Sequence, residues 1–107
     1  MKETLVMALR EAGNELLKAF GTQIESKQKE SQSSIVTQVD LKNDRLITGI
    51  ISGRYPDHNI LSEEGGFIDK GSEFTWVIDP LDGTSNFASA IPWFGVLIAL
   101  FKGNSPV

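Results

Sequence analysis

Apolar positions in the first segment return every three or four residues: Leu5, Leu9, Ala12, Leu16, Phe20 and Ile24, with Val6, Gly13 and Leu17 on the adjoining row. That period belongs to a helix with one buried face, and Glu3, Arg10, Glu11, Asn14 and Lys18 fall mostly on the other side. The spacing predicts a helix over residues 2–25. Residues 25–34 (ESKQKESQSS) offer almost nothing to bury and read as a mobile loop or hairpin tip. Ser34–Thr37 is a short β-branched piece leading to Val39 and Asp40. From Asp40 the helical period returns, with Leu46, Ile47, Ile50 and Ile51 as its stripe and Gly53 and Pro56 as its stop.

Beyond Pro56 the pattern shortens to strand length. Asn59–Ser62 reads as a brief strand emptying into the loop Glu63-Glu64-Gly65-Gly66. Phe74–Ile78 (FTWVI) is nearly all apolar, as expected of a strand buried on both faces. It runs straight into Asp79-Pro80-Leu81-Asp82-Gly83-Thr84. Trp93–Phe101 is another apolar run of strand length, followed by turn residues 102–105 and by Pro106 and Val107, which would open a return strand. A last hydrophobic strand without a partner is an edge that natural domains avoid, so the pattern suggests a longer parent domain. The predicted architecture is α/β: two helices packed on the first strands of an antiparallel or mixed sheet, with acids at strand ends.

Composition narrows the chemistry. The 107 residues allow one domain at most, and 40% hydrophobic with 22% charged residues is ordinary for a globular chain. No apolar run approaches the roughly 20 residues of a membrane span, and the start lacks the apolar core of a secretory signal. A cytoplasmic, membrane-free protein is the resulting expectation. There is no cysteine, so any metal must be held by oxygen, favouring Mg²⁺, Mn²⁺ or Ca²⁺. The net charge of −4 and the lack of a basic stripe argue against nucleic acid as a partner. They leave a phosphorylated small molecule open, because a divalent ion can make an acidic cluster attract phosphate.

The segment Asp79–Phe87 (DPLDGTSNF) concentrates that chemistry. Two carboxylates stand three positions apart, Pro80 fixes φ between them, and Gly83 permits a tight path just after the second. If a helix starts after Gly83, Thr84 or Ser85 could cap it and free N–H groups would face an anion beside Asp82. The Leu81 carbonyl, between the acids, is a candidate neutral metal ligand. The same Asp-Gly pair also suits a type I′ hairpin turn, so spacing alone leaves both readings open. Glu63 and Glu64 place acid at a second strand end; by themselves they suit a solvated loop better than a site. His58 follows Pro56-Asp57 and reads as exposed and non-catalytic, while Trp76, Trp93 and Phe94 read as packing residues.

Three ordered runs carry a resemblance: Val36-Thr37-Gln38-Val39-Asp40, Ile60–Gly65 (ILSEEG) and Trp76–Phe87 (WVIDPLDGTSNF). Together they resemble the inositol monophosphatase family of Mg²⁺-dependent, lithium-sensitive phosphatases. The resemblance implies carboxylate metal ligands at Glu63, Asp79 and Asp82, a main-chain ligand at Leu81, and two or three Mg²⁺ ions in a complete site. It further implies that Glu63 and Thr84 orient the attacking water, that Asp40 supports Thr84 and that water, and that the N–H groups of Gly83 and Thr84 hold phosphate oxygens.

The implied reaction is hydrolysis of a phosphate monoester, most readily inositol monophosphate, with a sugar or nucleotide phosphatase of fructose bisphosphatase or bisphosphate nucleotidase type as the alternative. A small phosphorylated substrate and, for a full-length form, a homodimer follow from the same resemblance. The family's layered sandwich is two to three times this length, and its further aspartate ligand, near a W-D-x-A-A-G-like motif, has no counterpart here. The chain therefore reads as an N-terminal portion, 1–107, of such a domain, expected to have little activity alone. A non-catalytic metal-binding remnant is a further alternative. Lys29 stands where the family often has a loop lysine, and Ala88-Ser89-Ala90 stands where it frequently has a histidine.

Overall fold

A computed structural model describes residues 1–26, 32–89 and 91–107. Helix α1 covers Lys2–Ser26, close to the predicted span. Its buried row is Thr4, Ala8, Ala12 and Leu16, one residue every four. Ala8 and Ala12 are small, which lets α1 pack closely on helix α2, Gln32–Arg54. The adjoining row predicted for the core divides: Gly13 is half-buried, Val6 is exposed and Leu17 is 66% exposed.

Helix α2 begins earlier than its period suggested. The β-branched piece Ser34–Thr37 lies within it, and of the expected loop only residues 27–31, Lys29 among them, fall outside the described residues. Strand propensity depends on a partner strand, whereas a helix satisfies its own backbone, so the three β-branched residues Ile35, Val36 and Thr37 extend the helix. The row itself is Val39, Asn43, Ile47 and Ile51, all buried.

Five strands form one mixed sheet: β1 (Asn59–Ser62), β2 (Gly66–Ile68), β3 (Phe74–Asp82), β4 (Gly95–Lys102) and β5 (Ser105–Pro106), in the order β2-β1-β3-β4-β5. β2 was not anticipated; it folds back on β1 with Leu61 opposite Phe67. β1 and β3 run parallel, Ser62 facing Ile78, and β3 and β4 run antiparallel. The return strand expected after the turn is present as β5, with Lys102 opposite Ser105.

Ile60, Trp76, Ile78, Ile98 and Leu100 point towards the helices and join Ala8, Ala12, Ile47 and Ile51 in the main core. A second core gathers Leu16, Val39, Leu81 and Phe87, bordered by Phe20 and Phe94, whose ring centroids lie 4.9 Å apart. Phe87 comes from helix α3, Thr84–Ala88, which connects β3 to β4. The opposite sheet face has no helix on it among the described residues and presents Leu61, Phe67, Val77 and Leu97. Accessible area reflects this: 6527 Å², against about 5900 Å² typical of a chain of this mass. Trp93, predicted as packing, is 80% exposed, whereas Trp76 is fully buried.

His58 corrects its predicted exposure. Its ring lies between Tyr55 and Phe74, with centroids 4.7 and 4.9 Å away, and its Nδ1 accepts the Trp76 indole N–H at 3.0 Å. Burial holds its pKa below the ordinary histidine range, which suits the neutral acceptor the indole requires. The turn composition around it hid a buried Trp that needed a partner.

These placements separate two leucine-like positions of equal hydrophobicity. Ile51→Ala, emptying the main core, should cost about 3 kcal/mol of unfolding free energy. Leu17→Ala should stay within about 0.5 kcal/mol. Urea denaturation of the two variants checks the contrast.

Candidate metal and phosphate site

The site grows from a fault in the β3–β4 ladder. Asp79 pairs with Leu97 and Asp82 with Gly95, so Pro80 and Leu81 together oppose a single residue, Val96. This is a β-bulge, and proline suits it because it has no N–H to contribute to the ladder. Alternation along a regular strand would put residues three apart on opposite faces. The extra residue resets the phase: Pro80 and Leu81 are both buried on the helix side, and Asp79 and Asp82 share the open face.

Side chains complete the polar groups of the bulge. The Leu81 N–H donates to Asp79 Oδ1 at 3.3 Å, the Leu81 carbonyl accepts from Thr84 Oγ1 at 3.3 Å, and the Pro80 carbonyl accepts from Asn43 Nδ2 at 3.3 Å. Helix α3 starts immediately afterwards. Its cap is Gly83 at φ 83°, ψ 39°, with no side-chain cap, so neither Thr84 nor Ser85 caps the helix as expected. The Thr84 hydroxyl turns back to Leu81 instead. The left-handed Gly83 also decides against a simple hairpin, since the chain enters a helix before β4. A Cβ at Gly83 would sit 2.8 Å from the Trp93 carbonyl oxygen.

The second acidic segment arrives by parallel pairing. With Ser62 opposite Ile78, the residues just beyond, Glu63 and Asp79, lie at the same end of neighbouring strands. They line one open depression of about 350 Å³ with Leu61, Ser62, Val77 and Ile78. Asp40, half-buried on α2, faces the same charges. Its pKa is pushed from 3.8 to about 6, first by burial and then by Glu64, Glu63, Asp79 and Asp44. No lysine or arginine among the described residues pairs with any of these acids, and Lys42, nearby on α2, reaches Glu15 at 2.9 Å.

The structure thus brings Asp40, Glu63, Glu64 and Asp79 into one negative field, and sets Asp82, exposed, further along the same sheet face with Gly83 and Thr84 beyond it. Among the described residues no three acids or histidines converge tightly enough to enclose an ion. The donors are all oxygen and carry uncompensated charge, which suits a hard divalent cation.

Two residues of the site were not anticipated. Asn43, fully buried, spans Ala12 of α1 and Pro80 of β3, with Nδ2 to Ala12 O at 3.1 Å. Asp44, 7% exposed, accepts from Thr48 Oγ1 at 3.2 Å and lies under Gly65, while its other oxygen has no partner. Their signal was a polar residue inside an apolar row: Asn43 interrupts Val39, Ile47 and Ile51 at regular spacing of four.

The family model for the inositol monophosphatase family matches residues 1–107. The chain belongs to that family. It is 41% identical to Nus factor SuhB of Vibrio cholerae over 111 residues, covering 100% of this chain and 41% of that protein. It is 38% identical to fructose-1,6-bisphosphatase/inositol-1-monophosphatase of Aquifex aeolicus, covering 90% of this chain and 37% of the relative. Among solved structures, extragenic suppressor protein suhB from Bartonella henselae superposes with a TM-score of 0.84 at 32% identity, over 99% of this chain and 40% of that one. Inositol monophosphatase-II of Staphylococcus aureus gives 0.78 at 30% identity, over 98% and 38%. The chain spans about two-fifths of the length of the relatives it matches.

The mixed sheet with two helices on one face agrees with the predicted α/β class, and the superpositions place it in the inositol monophosphatase fold. The relatives' names lend no support to the expected exclusion of nucleic acid. No described helix is long and apolar enough to cross a membrane.

Two outcomes follow from this geometry. A raised carboxylate pKa means the folded state holds the proton more tightly than the unfolded state; that contribution is present below about 4 and lost as pH rises through about 6. Asp40→Asn, without added metal, should therefore melt a few degrees above the parent at pH 7.5 and converge with it towards pH 4. The full shift would correspond to about 3 kcal/mol, and solvent screening of this partly exposed group reduces it to about 1 kcal/mol. Scanning calorimetry across that pH range checks the trend. Gly83→Ala, forced into a left-handed conformation against a backbone oxygen, should lose about 1–3 kcal/mol in urea denaturation.

Proposed function

We propose that this chain carries the metal- and phosphate-binding part of a Mg²⁺-dependent phosphate monoesterase, with inositol monophosphate as the favoured substrate. The observation that carries the proposal is the bulge at Pro80-Leu81, which turns two aspartates three apart towards one face beside Glu63. Glu63, Asp79, Asp82 and the Leu81 carbonyl would hold the ions. Bound Mg²⁺ would neutralise this field, lower the pKa of a water and stabilise charge at phosphorus.

The chain's own groups supply the rest. The Glu63 carboxylate and the Thr84 hydroxyl orient water; the hydroxyl already has its proton directed at the Leu81 carbonyl, leaving Oγ1 free to accept. Asp40, half-buried on α2, supports Thr84 and that water from behind. The N–H groups of Gly83 and Thr84 meet phosphate oxygens at the turn. A staphylococcal relative has been solved with inositol monophosphate bound, at 28% identity, and with 2'AMP bound, at 29% identity. These, and the double name of the Aquifex aeolicus relative, support a phosphate-ester substrate and keep sugar and nucleotide phosphatases as the alternative.

The test is Mn²⁺ titration followed by electron paramagnetic resonance, on this chain and on Asp79→Asn and Asp82→Asn. Each variant should weaken binding at least about tenfold. Equal binding by all three would sink the metal assignment. In parallel, phosphate release from inositol 1-phosphate in millimolar Mg²⁺ should be negligible for the 107-residue chain and readily measured for a longer relative. Asp82-dependent turnover by this chain alone would show that its ligand set is already sufficient.

A further inference from the structure

The proposed function leaves open what holds Asp79 and Asp82 in phase. A bulge gives up cross-strand pairing, and the Pro80 carbonyl takes its donor from outside the ladder. That donor is Asn43, from the middle of α2, and the same amide nitrogen also reaches the Ala12 carbonyl of α1. One buried NH₂ group thus ties both helices to the backbone between the two aspartates. The next residue, Asp44, lies beneath Gly65, just after Glu63 and Glu64, so a single turn of α2 faces both acid-bearing segments.

We propose that Asn43 is a positioning residue for the metal site, fixing the Pro80 carbonyl so that Asp79 and Asp82 stay on one face of the sheet. The proposal rests on the metal reading above for its functional consequence, but its structural half stands apart from it. Stability alone does not account for an amide here. The position belongs to an apolar row between Val39 and Ile47, and Asn43 is fully buried with its Oδ1 unpartnered. A buried acceptor left unsatisfied is destabilising, and an apolar side chain of similar volume would remove that burden. What the apolar side chain cannot do is donate to Pro80.

The decisive variant is Asn43→Leu in the full chain, with Asn43→Ala carrying the same test should the larger side chain not be accommodated. Hydrogen exchange at residues 81–84 should accelerate about tenfold or more while the melting temperature moves by only a few degrees. Mn²⁺ binding should weaken about 10- to 100-fold. That loss should shrink towards nothing when Asn43→Leu is combined with Asp79→Asn, because both act on one unit. Unchanged exchange at residues 81–84 in a folded variant would overturn the proposal, whatever the metal result. Faster exchange with unaltered Mn²⁺ affinity, in a chain whose binding does depend on Asp79, would overturn its functional half and leave the metal site intact. If Asp79→Asn also leaves Mn²⁺ binding unchanged, the metal reading fails, and the exchange result alone decides the role of Asn43 in the bulge.

Discussion

Side chains alternate across a strand, and that periodicity forbids two acids three positions apart from serving one site unless the strand gains a residue. The bulge at Pro80-Leu81 is how β3 meets the constraint. Its other features follow from the groups the bulge leaves without ladder partners. Asp79 takes the Leu81 N–H, Thr84 satisfies the Leu81 carbonyl, and α2 contributes an amide to Pro80. Leu81, turned inwards by the same fault, fills the second core against Phe87 and so anchors α3. Site geometry and core packing are here two sides of one backbone irregularity.

Electrostatics gives the site its tension. Parallel pairing of β1 with β3 delivers Glu63 beside Asp79, and α2 adds Asp40 to the same field. Without a cation these charges oppose one another, and at Asp40 burial adds to that repulsion and pushes its pKa up to about 6. Lys42, one residue before Asn43, points away to Glu15. A fold optimised for stability would bring a base among the acids; among the described residues no base pairs with them.

Much of this was legible in the chain. Helix α1 announced itself by period, the β3 and β4 runs by apolar length, and the acidic motifs by order and spacing. The failures have physical causes. The start of α2 was masked by β-branched residues whose strand preference needs a partner that is not there. Leu17 shares the helical period but lies off the row that meets α2, and a 25-residue helix cannot bury every apolar side. His58 looked like a turn residue because its partner, the Trp76 indole, is 18 positions away. The bulge, Asn43 and Asp44 were missed together: register is a property of two strands, and a polar residue in an apolar row shows its purpose only when its long-range partner is known.

Among the described residues one sheet face carries the helices while the other leaves Leu61, Phe67 and Leu97 exposed. Hydration of apolar area is what makes the heat capacity of an unfolded chain exceed that of the folded one. Here part of that hydration already exists in the folded state, so unfolding adds less of it than the chain length would suggest. The stability curve of this 107-residue chain is accordingly shallow. It changes little with temperature around its maximum and loses less on cooling than that of a two-sided sandwich of the same length.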